Sequence, residues 1–156
     1  MPIITLTTKI KAPIERVFDL SRSIDLYPKS TDTNDEKAVA GKTSGLLEKG
    51  EEVTWEGSHL RFRKSLQIRI SELTPPQGFT EEMVSGAFAR MKHHHRFEAD
   101  GDETTMIDEL DYKSRGGLLG WFVENSFLTA HIRRFLADRN KVIKQVAESD
   151  QWKTYL

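Results

Sequence analysis

His93, His94 and His95 stand in an unbroken run. On a β-strand successive side chains face opposite ways, so His93 and His95 share one face and His94 takes the other. Two imidazoles on one face can bind a metal ion, with Asp108 from the neighbouring strand as a third ligand. They can also work as an acid/base pair, since histidine titrates near neutral pH. The plainer alternative is a pair of hydrogen-bonded wall residues, or solvated ones if the strand parity is shifted. Asp108 is costly on an apolar wall unless it is paired, and Lys64, His93 or His95 can supply the partner. A bulge that turns Asp108 to water is the alternative. Arg139 falls on or near the apolar stripe of a long C-terminal helix. Its guanidinium there can receive a ligand carboxylate, make a structural ion pair, or snorkel outward.

Other chemistries are excluded by what the chain lacks. It has no cysteine, which removes disulfides, thiolate zinc sites and a cysteine nucleophile together. It carries neither the Gly-x-x-x-x-Gly-Lys-Ser/Thr phosphate loop nor a Gly-x-Gly-x-x-Gly turn after a strand. Its 23 basic and 24 acidic residues nearly cancel, which argues against a nucleic-acid partner. Arg61, Arg63 and Arg69 alternate on one strand face and read as an ordinary solvated row. No apolar run approaches the roughly 20 residues needed to span a bilayer. The N-terminus lacks a signal-peptide core. The chain is therefore expected to be a soluble, cytoplasmic, globular domain, a monomer or a weak dimer.

The elements that must position these residues follow from periodicity. Ile4, Leu6, Thr8 and Ile10 alternate with polar residues, a half-buried strand. Pro13 and Glu15 suit the start of a helix carrying Val17, Phe18 and Leu20. Ile24, Leu26 and Tyr27 form a second short helical turn, which Pro28 is expected to stop. Strand patterns then recur over 37–42, 51–57, 60–73, 79–85, 89–99 and 103–113. Turn signals separate them, among them Thr74-Pro75-Pro76-Gln77-Gly78 and Asp100-Gly101-Asp102. Sequential antiparallel pairing is the simplest topology. A helical pattern runs from about Leu119 to Val146, with Leu128, Ile132, Phe135, Leu136, Val142, Ile143 and Val146 on one broad stripe. It has nothing helical to pair with except two short turns, so it must lie against the sheet. The segment 148–156 is expected to be a frayed tail, with Trp152 and Tyr155 able to pack back.

Four stretches carry a family resemblance. The opening TTKIKAPIERVFDLSRSIDLYP, the segments VSGAFARMKHHHRFE and TTMIDELDYKSRGGLLGWFVE, and the helix RRFLADRNKVI resemble the START-like superfamily. It is also called the polyketide cyclase/dehydrase and lipid-transport (SRPBCC) superfamily. Within it they resemble a subgroup of small bacterial domains found alone or beside nucleotide-sugar epimerase-like domains. The resemblance implies one helix-grip domain over residues 1–147, of α+β class. In that fold a curved antiparallel sheet of about six to seven strands wraps the C-terminal helix. It implies a cavity between sheet and helix. No catalytic motif transfers from it.

Alternation assigns the cavity wall. Apolar candidates are Trp55, Phe62, Leu66, Ile68, Met83 and Met91, with Met106, Leu110 and Phe135 completing the set. Polar candidates are Lys64, His93, His95, Asp108 and Arg139. An apolar wall with few polar groups is the make-up of a small-molecule pocket. The expected function is binding or transport of an apolar molecule such as a lipid, polyketide or isoprenoid. A cyclase, dehydratase or hydrolase using the same polar residues is the first alternative, and an interaction protein with a filled cavity is the second. No catalytic residue, metal or cofactor is assigned. The loop from Gly116 to Phe122 is read as a gate, a transient membrane-touching lip, or plain helix-start packing.

Overall fold

The structure, a computed structural model, describes residues 3–31, 35–59, 61–117 and 127–156. The chain opens with β1 (Ile3–Ile10), α1 (Ile14–Ser21) and α2 (Tyr27–Ser30). Six more strands follow: β2 (Lys37–Gly41), β3 (Glu52–His59), β4 (Phe62–Thr74), β5 (Gly78–Ser85), β6 (Arg90–Asp100) and β7 (Glu103–Lys113). The helix α3 is described over Phe127–Ala147, and a 3-10 turn spans Asp150–Thr154. The expected start of the long helix before Phe127, Leu60, and the part of the expected gate beyond Gly117 lie outside the described residues.

All strands join one antiparallel, curved sheet in the order β1-β7-β6-β5-β4-β3-β2. The turn between β6 and β7 is short because Gly101 takes a positive φ of 61°, which a side chain would resist. Pairing of β6 with β7 runs without a shift and sets His95 opposite Asp108 and His93 opposite Leu110. The parity expected for β6 and β7 therefore holds: Met91, His93, His95 and Phe97 are buried, as are Met106, Asp108, Leu110 and Tyr112.

β4 behaves differently. It pairs with β3 from Phe62 onward but with β5 only from Gln67, so the β3–β4 hairpin extends beyond the rest of the sheet. Phe62 is consequently 65% exposed, although its parity is that of buried Ile68 and Ile70. Beyond Ile70 the register with β5 shifts, and Leu73 packs inward where Glu72 would have.

α3 lies along β1, α1 and α2. Ile132, Leu136, Ile143 and Val146 form its buried stripe, each contributing about 1.5–3 kcal/mol if fully removed from water. Arg139 and Asn140 interrupt that stripe and are themselves buried. Two expectations are overturned. Pro28 lies in the first turn of α2 rather than ending a turn, because a first-turn proline gives up no helical N–H bond. The tail is not frayed: Ser149 caps the 3-10 turn, and Trp152 lies under the Arg16 guanidinium at 4.3 Å. Among the described residues no helix is long and apolar enough to cross a membrane.

Candidate functional site

Between sheet and α3 lies a cavity of about 400 Å³. Its walls are largely apolar, with Trp55, Leu66, Met91, Leu110, Leu128 and Phe135 as main surfaces. Tyr27 packs on Trp55 with ring centroids 4.1 Å apart. Phe62 and Lys64 reach the cavity from the projecting hairpin, and both are exposed.

Two polar clusters face this space. The deeper one is built from β5, β6, β7 and α3. Asp108 is fully buried, and its Oδ1 lies 3.0 Å from both His93 Nε2 and His95 Nδ1. Asn140 Nδ2 donates to Asp108 Oδ2 at 2.6 Å. Arg139 sits 3.6 Å from Asp108, donates to Asn140 Oδ1 at 3.0 Å and to the Ser21 carbonyl at 3.1 Å. Glu81 completes the cluster: its Oε2 is 3.8 Å from His93 Nδ1 and 3.5 Å from His95 Nε2. His95 stands within ion-pair distance of both carboxylates, yet neither ring nitrogen has a hydrogen-bond partner among the described residues. Its ring stacks on Phe79 at 4.2 Å and on His93 at 3.8 Å.

These contacts separate the protonation states of four neighbours. Burial pushes the Glu81 carboxyl up, but His95, His93 and Arg139 together outweigh it and hold it at about 2. Burial also pushes Asp108 up, and His93 and His95 reverse this to hold it well below the usual carboxylate range. Burial, then the charge of His95, lowers His93 to about 4. Burial opposes charge on His95 as well, but Asp108 and Glu81 prevail and raise it. At neutral pH Glu81 and Asp108 are therefore anions and His93 is neutral, while the two carboxylates favour a proton on His95 and the Arg139 guanidinium stands beside them.

The second cluster lies where β3 meets α3. Glu36 Oε1 bonds His59 Nε2, and His59 Nδ1 lies 2.9 Å from His131 Nε2. All three line the cavity. Glu36 is 6% exposed and fits only because residue 57 is glycine: a Cβ there would stand 2.5 Å from the Glu36 carboxyl carbon. Burial, then His59 and Arg134, lower the pKa of His131.

Of the residues expected on the wall, Trp55, Phe62, Lys64, Leu66, Met91, His93, Leu110, Phe135 and Arg139 do line the cavity. Ile68, Met83, Met106, His95 and Asp108 do not. Ile68 and Met106 are core residues, with Met106 Sδ accepting from the Ser21 hydroxyl at 3.4 Å. Met83 packs at the core's edge. His95 and Asp108 lie one layer behind His93. Asp108 is not bulged into water, and Lys64 is not its partner; the partners are His93, His95, Asn140 and Arg139. Sequence reasoning missed Glu81, although it shares the parity of Phe79 and Met83. It also missed His59, which shares the parity of Val53 and Trp55. Glu36, Tyr27 and His131 carry no comparable signal.

Solved structures of low identity have this same architecture. The Zhui aromatase/cyclase from Streptomyces sp. R1128 superposes with a TM-score of 0.76 at 14% identity, covering 94% of this chain and 93% of that one. A protein of Thermus thermophilus gives 0.74 at 16% identity, over 95% of this chain and 100% of that one. A START superfamily protein from Mycobacterium smegmatis gives 0.70 at 12%, over 94% and 97%. Sheet, helices and cavity together define a helix-grip protein. A comparison with curated proteins finds no match. A family model does: the description "Polyketide cyclase / dehydrase and lipid transport" matches residues 10–138, and the chain belongs to that family.

Proposed function

We propose that this protein binds an apolar small molecule between the sheet and α3, with any polar end of the guest directed at Arg139, Glu81 and His93. The observation that carries this reading is the cavity itself. A space of about 400 Å³ walled mainly by aromatic and aliphatic side chains, with polar groups confined to two clusters, suits a drug-sized apolar ligand. Membership of a family described by both cyclisation and lipid transport supports the same class of guest. The test is native mass spectrometry of the purified chain, with extraction of co-purifying material. An adduct identified as lipid, polyketide or isoprenoid is expected. A clean apo mass from several hosts, together with failure to bind fluorescent fatty-acid probes, would sink the reading.

A second reading makes the same cavity an acid/base active site. The chain of contacts from Glu36 through His59 to His131 favours it, since a carboxylate orients one imidazole, which in turn contacts the next. The structural neighbour named an aromatase/cyclase lends it weight. It requires that a bound guest emerge chemically changed, and that His59→Gln slow the change at least 100-fold. Recovery of every tested guest unaltered would eliminate it.

A further inference from the structure

Glu81 on β5 and His93 and His95 on β6 converge on one point. Their three donor atoms all lie within 4.8 Å of one another. Glu81 Oε2 stands 3.5 Å from His95 Nε2 and 3.8 Å from His93 Nδ1. Donors that share one ion at about 2.1 Å sit roughly 3.4 Å apart at the tetrahedral angle. The two histidines present opposite nitrogens, Nδ1 from one and Nε2 from the other, and a single atom explains why. Asp108 Oδ1 lies 3.0 Å from each ring's other nitrogen, on the side away from Glu81.

A carboxylate behind a histidine is the outer-shell arrangement that fixes ring orientation in metal sites. Here one carboxylate is hydrogen-bonded to His93 Nε2 and stands at ion-pair distance from His95 Nδ1, and Asn140 braces it at 2.6 Å. A second observation is independent of the spacing. His95 is 2% exposed, and its Nε2, aimed at Glu81, has no hydrogen-bond partner among the described residues. Buried ring nitrogens are ordinarily satisfied. A hydrogen bond to Glu81 is not formed at 3.5 Å, whereas an ion between the two atoms would meet both.

We propose that Glu81 Oε2, His93 Nδ1 and His95 Nε2 bind one divalent transition-metal ion of the zinc class, with Asp108 as the outer carboxylate. Two imidazoles and one carboxylate suit zinc and its neighbours, and not calcium or magnesium, which take oxygen ligands. Binding needs both imidazoles neutral. Glu81 and Asp108 then carry two negative charges, and Arg139, 3.6 Å from Asp108, offsets one. The surroundings remain anionic towards a dication. Glu81 and His93 also line the cavity, so the coordination position left open faces it. Water or a polar group of a guest takes that position. Asp108 thus moves from the ligand that strand pairing alone suggests to the group that aims the ligands. The site stands apart from the apolar-guest reading, for a chain that binds metal but no lipid would refute that reading and leave this one intact.

The test uses the full chain, stripped by chelator and titrated separately with Zn²⁺, Co²⁺ and Mg²⁺. One Zn²⁺ per chain is expected, with Mg²⁺ failing to compete and Co²⁺ giving the visible absorption of a four- or five-coordinate centre. Glu81→Gln should weaken Zn²⁺ at least tenfold and Asp108→Asn by about 10- to 100-fold. His94→Ala, on the opposite sheet face, should leave the affinity unchanged. If a variant fails to fold, ¹⁵N histidine spectra of the unaltered chain decide instead: Zn²⁺ must move the ring resonances of His93 and His95. Absence of Zn²⁺ and Co²⁺ binding overturns the proposal. So does binding that Glu81→Gln leaves unchanged, that His94→Ala abolishes, or that moves the resonances of His59 and His131 instead.

Discussion

The two polar clusters use the same residue types and behave as different materials. Around Asp108, two carboxylates, two imidazoles, an amide and a guanidinium are braced from three strands and a helix. At Glu36, one carboxylate and two imidazoles form a single line, and the middle imidazole is 26% exposed. The deep cluster has redundant partners and opposed charges, so removing one member strands several others. The cluster at Glu36 has one bond per link, and water can replace a lost link. Support from behind, more than residue identity, separates a braced cluster from a line whose middle link is open to water.

The largest way to break this contrast is Asp108→Ala. It removes the acceptor of His93 and Asn140 and the buried counter-charge beside His95 and Arg139, and should cost about 3–5 kcal/mol in urea unfolding. A loss below about 1 kcal/mol would show that the deep cluster is not cooperative. Next comes acid. In the metal-free chain Glu81 is held at about 2, against an ordinary value near 4.5. The stability it confers is complete above about pH 4.5 and disappears as the pH falls towards 2, a change of a few kcal/mol. Glu81→Gln should flatten that limb of the pH–stability curve, and an unchanged limb would contradict the assigned contacts.

Gly57→Ala should cost about 1–3 kcal/mol, because the new methyl group collides with the Glu36 carboxyl. The NMR signals of His59 and His131 should shift while those of His93 and His95 stay in place. Shifts in both pairs would mean that the clusters are coupled. The smallest effect is expected from His131→Gln, at most about 1 kcal/mol, because water can take its place. A histidine titration of the metal-free chain should sharpen the picture: His93 near pH 4, His95 above its ordinary value, His131 below it.

Strand parity explains how much of this was legible. β6 and β7 pair without a bulge, so counting by twos placed His93, His95 and Asp108 on one wall from the residues alone. The same count selects Glu81 through Phe79 and Met83. In β4 parity identified the right face, but Phe62 became exposed because the hairpin outruns β5, which no local pattern records. Depth was equally hidden: parity cannot separate Leu66, on the cavity, from Ile68, one layer into the core. The Glu36 cluster was the least legible. His59 meets His131 across 72 positions, and Glu36 needs a glycine on β3 that declares its purpose only once β2 and β3 are in register.

The attachment of α3 at Arg139 and Asn140 sets how the helix can move against the sheet. The helix is tied at mid-length to the carbonyl of Ser21 and to Asp108. Further along, Lys144 bonds the Lys9 carbonyl, and Arg16 bonds that of Ala147. Swinging the whole helix off the sheet would break all four anchors at once. Bending at the turns around Leu128 and His131, upstream of the anchors, leaves those four in place and breaks the Tyr112–Thr129 and His59–His131 contacts instead. For the proposed guest, the end of α3 at Leu128 and His131 is therefore expected to open before the four-anchor grip does.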